Sequence, residues 1–381
     1  MNDTDQPTEA NPRPRVAVVF GGRSSEHAVS CITAGSVMRA IDRSKYDVVP
    51  VGITLDGEWV LEADEPALLA VTDGRMPSVS AADGQAVVLL GSSSRGSLVT
   101  LSASEVPHTL GEVDVVFPLL HGPFGEDGTL QGLLEMAGIR YVGAGVLSSA
   151  VSMDKHYMKM IFQAHGLPVV PYAVLSPSEW AHDRSACAET VASLGYPVFV
   201  KPCRGGSSIG ITKVSRPEGL EAAVELARTY DPKVLVEAAV ESARELECGV
   251  LGSLTPGALP EVSVVAEIVV DPSREFYDFD AKYVSEEDAK LIVPAVMEEG
   301  DAVAVRRMAA QAFAAVSCEG LARVDFFVQP DGRLLLNEIN TMPGFTPMSM
   351  FPRVWAASGV EYPELVDRLV QLALQRPTGL R

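Results

Sequence analysis

Two apolar runs near the C-terminus, residues 322–328 and 333–340, flank Pro330-Asp331-Gly332 and carry Arg323, Asp325, Glu338 and Asn340. Asp-Gly between apolar runs predicts a β-hairpin with a two-residue loop. Pro330 then faces Arg333, and counting back sets Asp325 opposite Glu338 and Arg323 opposite Asn340. The period of two puts all four side chains on one face. A three-residue loop would offset that register. Carboxylates facing each other at about 5 Å repel, so the pair makes sense among so much Val, Leu and Phe if a cation sits between them. Asp, Glu and Asn offer hard oxygens suited to Mg²⁺, which keeps waters or phosphate oxygens as its other ligands. The plainer alternative is a solvated hairpin face with ordinary charges, against which the apolar neighbours weigh.

Arg204-Gly205-Gly206-Ser207-Ser208-Ile209-Gly210 joins two further apolar runs, with Lys201 just upstream. Glycines let main-chain N–H groups approach phosphate, and the hydroxyls of Ser207 and Ser208 can donate to it. An ordinary hairpin tip is the other reading. The loop is not of the GxxxxGK[ST] type, and no GxGxxG occurs. The strand 234–237 ends in Glu237, which either caps a sheet edge or accepts hydrogen bonds from a nucleoside ribose. Residues 275–283, including Lys282 and Tyr283, form a run unusually aromatic and charged for a loop. It either closes over a ligand or lies on the surface pinned by its own rings. Residues 340–349 follow the metal strand directly and offer main-chain N–H groups and a hydroxyl to an oxyanion or carboxylate.

These pieces need elements to hold them. Residues 16–20 read as a buried strand ending at Gly21-Gly22, followed by a helix over 27–41 and strands over 48–53 and 113–119. A helix covers 132–137, and 143–148 reads as a turn. Alternating strands and helices imply α/β architecture with a parallel open sheet, whose ligands sit beyond the strands' C-terminal ends. Glu26 and the run His121 to Gly128 fall at such ends. Residues 58–108, rich in Ser, Gly and Asp with short strands over 86–90 and 98–101, look like a peripheral insertion rather than a domain. Strands over 245–251 and 262–270, a helix over 300–317 and two helices after Phe351 complete the chain. The expected organisation is a polar, disordered tail over 1–15, an N-terminal unit over 16–153, a central unit over 154–241 and a C-terminal unit over 242–381.

Composition narrows the partners. The chain of 381 residues is 47% apolar with a net charge of −20, which disfavours nucleic acid and anionic membranes but permits a small anion held locally. Its five cysteines show no CxxC spacing and read as reduced thiols. No signal peptide or membrane span is legible, and a cytoplasmic protein is expected.

The glycine loop, the strand-end Glu237 and the Arg-x-Asp and Asn-Glu-x-Asn hairpin together resemble the ATP-grasp fold. Gly21 to His27, His121 to Gly128, Met153-Asp154-Lys155 and Asn340 to Thr346 add a resemblance to the D-alanine–D-alanine ligase family, in order over about residues 16–375. The resemblance implies a Rossmann-like N-terminal domain followed by two ATP-grasp subdomains. It also implies ATP-dependent joining of two D-alanines through an acyl phosphate, for peptidoglycan, by a homodimer. It assigns Asp325, Glu338 and Asn340 to two Mg²⁺ (or Mn²⁺) ions, and Lys155, Lys201 and Lys282 to the phosphates. Glu237, Val240 and Glu245 line the adenosine pocket. Glu26, with His121 nearby, takes the first substrate's ammonium, and Glu26, Ser207 and Tyr283 form a closing set. Arg323 and the Gly344 main chain meet the oxyanion, and Ser349 the second carboxylate. Ala238 departs from the family, where many members place Lys, and Tyr283 rather than His resembles the dipeptide-forming members. Another ATP-grasp carboxylate–amine ligase, or a silent nucleotide-binding protein, remains the alternative.

Overall fold

The computed structural model describes residues 13–82, 84–91, 96–100, 108–206, 208–270 and 289–377. Its strands form three sheets. In the first, β1 (Arg15–Gly21), α1 (His27–Ala40), β2 (Asp47–Ile53), β3 (Trp59–Leu61), β4 (Gln85–Gly91), β5 (Gly96–Thr100), β6 (His108–Val113), β7 (Val115–Pro118), α2 (Thr129–Met136) and β8 (Arg140–Tyr141) follow in chain order. The sheet order is β6-β5-β4-β3-β2-β1-β7-β8. Strands β2, β1, β7 and β8 pair in parallel. Residues 16–20, apolar on both faces, are buried throughout, as a parallel strand covered on both sides requires.

The strands expected over 86–90 and 98–101 are β4 and β5, but the region is no peripheral insertion: with β3 and β6 they extend the same sheet by antiparallel pairing. The strand expected over 113–119 is interrupted at Asp114, whose carboxylate accepts the Arg15 N–H at 2.8 Å. Of the tail expected over 1–15, Arg15 already belongs to β1 and Arg13 pairs with Asp47 at 2.6 Å; residues 1–12 lie outside the described residues.

Gly145 caps α3 (Val146–Met153) where a turn was expected, and Asp154 separates α3 from α4 (Lys155–Ala164). The Asp154 side chain caps α4, accepting the His156 N–H at 3.1 Å, which fixes Lys155 at the helix start. The second sheet follows with β9 (Tyr172–Leu175), α5 (Pro177–His182), α6 (Arg184–Ala192), β10 (Val198–Pro202), β11 (Thr212–Val214), α7 (Leu220–Arg228) and β12 (Val234–Ala238), ordered β11-β10-β12-β9. The third contains β13 (Arg244–Leu251), β14 (Glu261–Val270), β15 (Ala289–Ile292), α8 (Glu299–Ala315), β16 (Leu321–Val328) and β17 (Leu334–Asn340), ordered β15-β14-β13-β16-β17.

Helices α9 (Met350–Ala357) and α10 (Tyr362–Gln375) close the chain. One apolar core runs from Val18, Phe20 and Phe117 of the first sheet to Phe345, Phe351 and Trp355. The Phe117 and Phe345 rings meet edge to face at 6.2 Å. Burial of each ring contributes roughly 2 kcal/mol, so the segment after β17 is pinned to the C-terminal end of β7.

Candidate active site

Two cavities meet between the sheets. The larger, about 470 Å³, is lined by Lys201, Ser208, Glu237, Val240, Glu245 and Asp325, among others. The smaller, about 90 Å³, is lined by Glu26, His121, Glu126, Asn340, Met342 and Gly344, among others. Lys155, Gly205, Gly206, Arg323 and Glu338 line both. Residues from all three sheets, far apart in sequence, therefore share one continuous space.

The hairpin that carries the acids corrects the loop expected from the sequence. Gln329 donates to and accepts from the turn, with the Gln329 N–H bonding Arg333 O at 2.9 Å and the Gly332 N–H bonding Gln329 O at 2.9 Å. The loop is thus three residues, with Gly332 in the left-handed region at φ 84° that its position demands. Phe326 then pairs with Leu336, and a β-bulge restores Asp325 opposite Glu338 and Arg323 opposite Asn340. The two offsets cancel, and Asn337 is the extra residue.

The facing acids are also neutralised from within the chain. Arg323 clamps Asp325 through two bonds of 2.8 and 2.7 Å and lies 3.1 Å from Glu247, a residue in register with Asp325. Burial opposes the guanidinium charge, yet the acids hold it well above its ordinary range. Lys155 Nζ lies 3.3 Å from Glu338 and donates to Gly205 O at 3.0 Å. Burial opposes this charge too, and Glu338 outweighs it. Repulsion between the acids alone therefore does not demand a metal. The donor set does fit one: two opposed carboxylates and the Asn340 amide, whose Oδ1 lies 3.3 Å from the Met342 N–H. Among the described residues no three His, Cys, Asp or Glu side chains converge, so a bound cation would take its other ligands from water or phosphate.

Glu237 does not stand open for a ribose. Its carboxylate is almost fully buried between Lys201 and Lys159, the latter 2.6 Å away, and Lys159 donates to Asn337 O at 3.0 Å. Burial works against this acid, but the two ammonium groups draw it down to about 2. Burial dominates at Lys159 and lowers it. Val240 and Glu245 remain on the cavity wall.

Glu26 sits at the mouth of α1, with two glycines pressed against its carboxylate. A Cβ on Gly122 would come within 2.8 Å of Glu26 Oε2, and one on Gly206 within 3.1 Å. The phosphate-loop candidate and the His121 loop thus both require glycine to close on this acid. Ser349 accepts the Thr346 N–H at 3.2 Å and bonds its hydroxyl at 2.8 Å; it lies against Gly344, where a Cβ would sit 3.1 Å from its oxygen. Ser208 is in the left-handed region at φ 59°. Ser207, Lys282 and Tyr283 lie outside the described residues.

Lys159, Glu247 and Glu126 were missed. Lys159 follows Lys155 by one helical turn, and Glu247 follows Glu245 by one strand period; both spacings were available. Glu126 stood in the His121–Gly128 run without a role.

The comparisons with known proteins agree with this arrangement. The family described as D-ala D-ala ligase N-terminus matches residues 15–144, and that described as D-ala D-ala ligase C-terminus matches residues 161–371. The chain belongs to the D-alanine–D-alanine ligase family. It is 57% identical to a D-alanine–D-alanine ligase of Streptomyces griseus, covering 99% of this chain and 97% of that one. It is 54% identical to one from Mycobacterium sp. strain KMS, covering 97% and 99%. Among solved structures it resembles the VanG D-Ala:D-Ser ligase of Enterococcus faecalis, with 34% identity, a TM-score of 0.80 and coverage of 95% and 100%. It also resembles the D-alanine–D-alanine ligase of Coxiella burnetii, with 32% identity, a TM-score of 0.78 and coverage of 96% and 94%. Family membership makes the protein a ligase that uses ATP, and its three sheets are the ATP-grasp arrangement with its preceding α/β sheet.

Proposed function

We propose that the protein joins two D-alanine molecules into D-alanyl-D-alanine, a peptidoglycan precursor. One observation carries the reading: Lys155, Arg323 and Glu338 line both the larger cavity, sized for a nucleotide, and the smaller one beside Glu26, sized for an amino acid. ATP would lie in the larger, its phosphates met by Lys155, Lys201 and the main chain of the glycine loop with Ser207 and Ser208. Val240 and Glu245 would face the adenosine, and Glu237 would serve it by holding Lys201. Asp325, Glu338 and Asn340 would hold Mg²⁺ or Mn²⁺, in two ions, which supplies charge neutralisation of the phosphate oxygens when bound.

Glu26 would orient the first D-alanine by its ammonium, with buried His121 alongside. An oxygen of that substrate's carboxylate attacks the terminal phosphorus of ATP, the bond to ADP breaks, and an acyl phosphate forms. The free amine of the second D-alanine, its carboxylate held by Ser349, attacks the acyl carbon. The resulting oxyanion meets Arg323 and the Gly344 N–H, and collapse expels phosphate as the amine loses its proton. Positioning and electrostatics of this kind are the principal resources for phosphoryl transfer. Lys282 and Tyr283 would close the site.

The test is phosphate release from ATP with D-alanine, with D-alanine plus D-serine, with L-alanine or with no amino acid. Release that requires D-alanine and yields the D-alanyl dipeptide is expected. Release independent of D-alanine would point to a different carboxylate–amine ligase, and a D-alanyl-D-serine product to the activity named for the Enterococcus structure.

The units over 16–153, 154–241 and 242–381 are proposed as the functional domains, each built on one of the sheets. A homodimer is proposed through the N-terminal unit, where α2 and α3 expose Leu133, Met136, Val146 and Leu147. No helix among the described residues is long and apolar enough to cross a membrane, and a cytoplasmic location is proposed. Sedimentation of the purified protein at twice the chain mass, and recovery in the cytosolic fraction, are the expected results.

A further inference from the structure

His121 and Glu126 belong to the loop that follows β7, yet both grip a residue on the far side of the cavity. His121 Nδ1 lies 3.2 Å from the carbonyl oxygen of Met342, and the N–H of the same residue stands close enough to the Glu126 carboxylate, on the same cavity wall, to favour its charge. Burial lowers the His121 pKa, so the neutral ring must carry its proton on Nδ1 to donate to that carbonyl. Glu126 simultaneously accepts the Gly122 N–H at 2.5 Å, which ties the clasp to the loop it springs from. Met342 is itself buried in the core shared by the first sheet and the C-terminal helices.

The gripped residue occupies a sensitive place. Two positions before it stands Asn340, whose Oδ1 lies 3.3 Å from the same Met342 N–H. Two positions after it stands Gly344. Pro343 between them has no N–H and restricts Met342 to extended backbone. Met342 is therefore the last point before Gly344 at which a main-chain donor can be held. The Met342 N–H is thus shared between the Asn340 oxygen and the Glu126 carboxylate, and without Glu126 it would pull harder on the Asn340 oxygen.

We propose that Glu126 and His121 act as one positioning device: by clasping both main-chain groups of Met342 they set Asn340 and Gly344 against Glu26. The proposal rests on the ligase reading above and deepens it. Neither side chain needs to touch the reacting atoms. A displacement of about 1 Å in a reacting arrangement costs about a hundredfold in rate, which is the scale on which such a clasp acts.

A double-mutant cycle tests it, using Glu126→Ala, His121→Ala and the pair, with ADP formation and dipeptide followed at saturating D-alanine and ATP. Each single variant is expected to lose about thirty- to a hundredfold in kcat, with the KM for ATP within about twofold of wild type. The double variant should lose no more than about threefold beyond the worse single one, because residues acting as a unit are strongly non-additive. Losses that multiply would show two independent roles and overturn the clasp, as would a Glu126→Ala enzyme within about twofold of wild type. If the alanine variant does not fold, Glu126→Gln, which keeps the shape and one acceptor oxygen, enters the cycle under the same criterion. Wild-type phosphate release dependent on D-alanine decides the ligase reading separately. With that rate in hand, multiplying losses remove only the clasp.

Discussion

Glu338→Gln is expected to give a folded protein that binds nucleotide but ligates at least about a hundredfold more slowly. The substitution keeps the volume and one acceptor oxygen, and the residue is 28% exposed, so little packing changes. Its ion pair with Lys155 is partly open to the cavity and contributes about 1 kcal/mol or less to stability. The effect on chemistry is larger because the charge faces Asp325 at the junction of both cavities. Removing one of two carboxylates from the proposed cation site would sacrifice several kcal/mol of transition-state charge stabilisation, and each 1.36 kcal/mol is about tenfold in rate. The measurement is dipeptide formation against Mg²⁺ concentration, alongside thermal unfolding. An undiminished rate at limiting Mg²⁺ would contradict the metal role, and a lowered melting temperature of equal consequence would shift the effect to folding.

How that pair of acids was legible in the sequence is instructive. Asp325 and Glu338 do face each other, but the path to that register contained two deviations that compensate. Gly332 reads equally well as the second residue of a two-residue loop or the left-handed third residue of a longer one. Asn337 carries no mark of a bulge, since neither Gly nor Pro stands there. The apolar periodicity made the face legible; the register came from geometry that short-range residue types do not encode. The N-terminal sheet shows the same limit. Within residues 58–108 the strands over 86–90 and 98–101 were legible and correspond to β4 and β5, but their joining the same sheet was not, because a strand with one apolar face does not say which neighbour it pairs with. The candidate site was largely readable as motifs: Glu26, His121, Lys155, Lys201, Arg323, Glu338 and Gly344 each line one or both of the two cavities. What the motifs hid was which charges hold one another. Glu237 looked like a ribose acceptor because Lys159, one turn beyond Lys155, could not be seen beneath it. Arg323, two residues from Asp325 on the same face, likewise neutralises an acid that spacing alone leaves facing another acid.

The buried trio at Glu237 carries the largest expected effect on stability. Glu237→Gln leaves the ammonium groups of Lys159 and Lys201 around a neutral amide, with Lys159 1% exposed and bonded besides to the Asn337 carbonyl. Breaking a buried ion pair on one side costs about 3–5 kcal/mol, because the remaining charge stays desolvated. Unfolding in urea should reveal that loss, and nucleotide affinity should fall with it because Lys201 loses the partner that aims it. The sign of the pH dependence is fixed by the acid. The Glu237 pKa of about 2 in the folded chain lies below its ordinary 4.5, so its stabilisation is fully present above about pH 4.5 and is lost as pH falls through about 2. The variant should therefore show a shallower decline over that acid window than the wild type. Adding Lys159→Met to Glu237→Gln should recover a substantial part of the loss, since an apolar side chain of similar length removes the stranded charge. A single variant as stable as wild type at pH 7, or a double variant less stable than the single, would show that Glu237 is not what holds the two lysines in place.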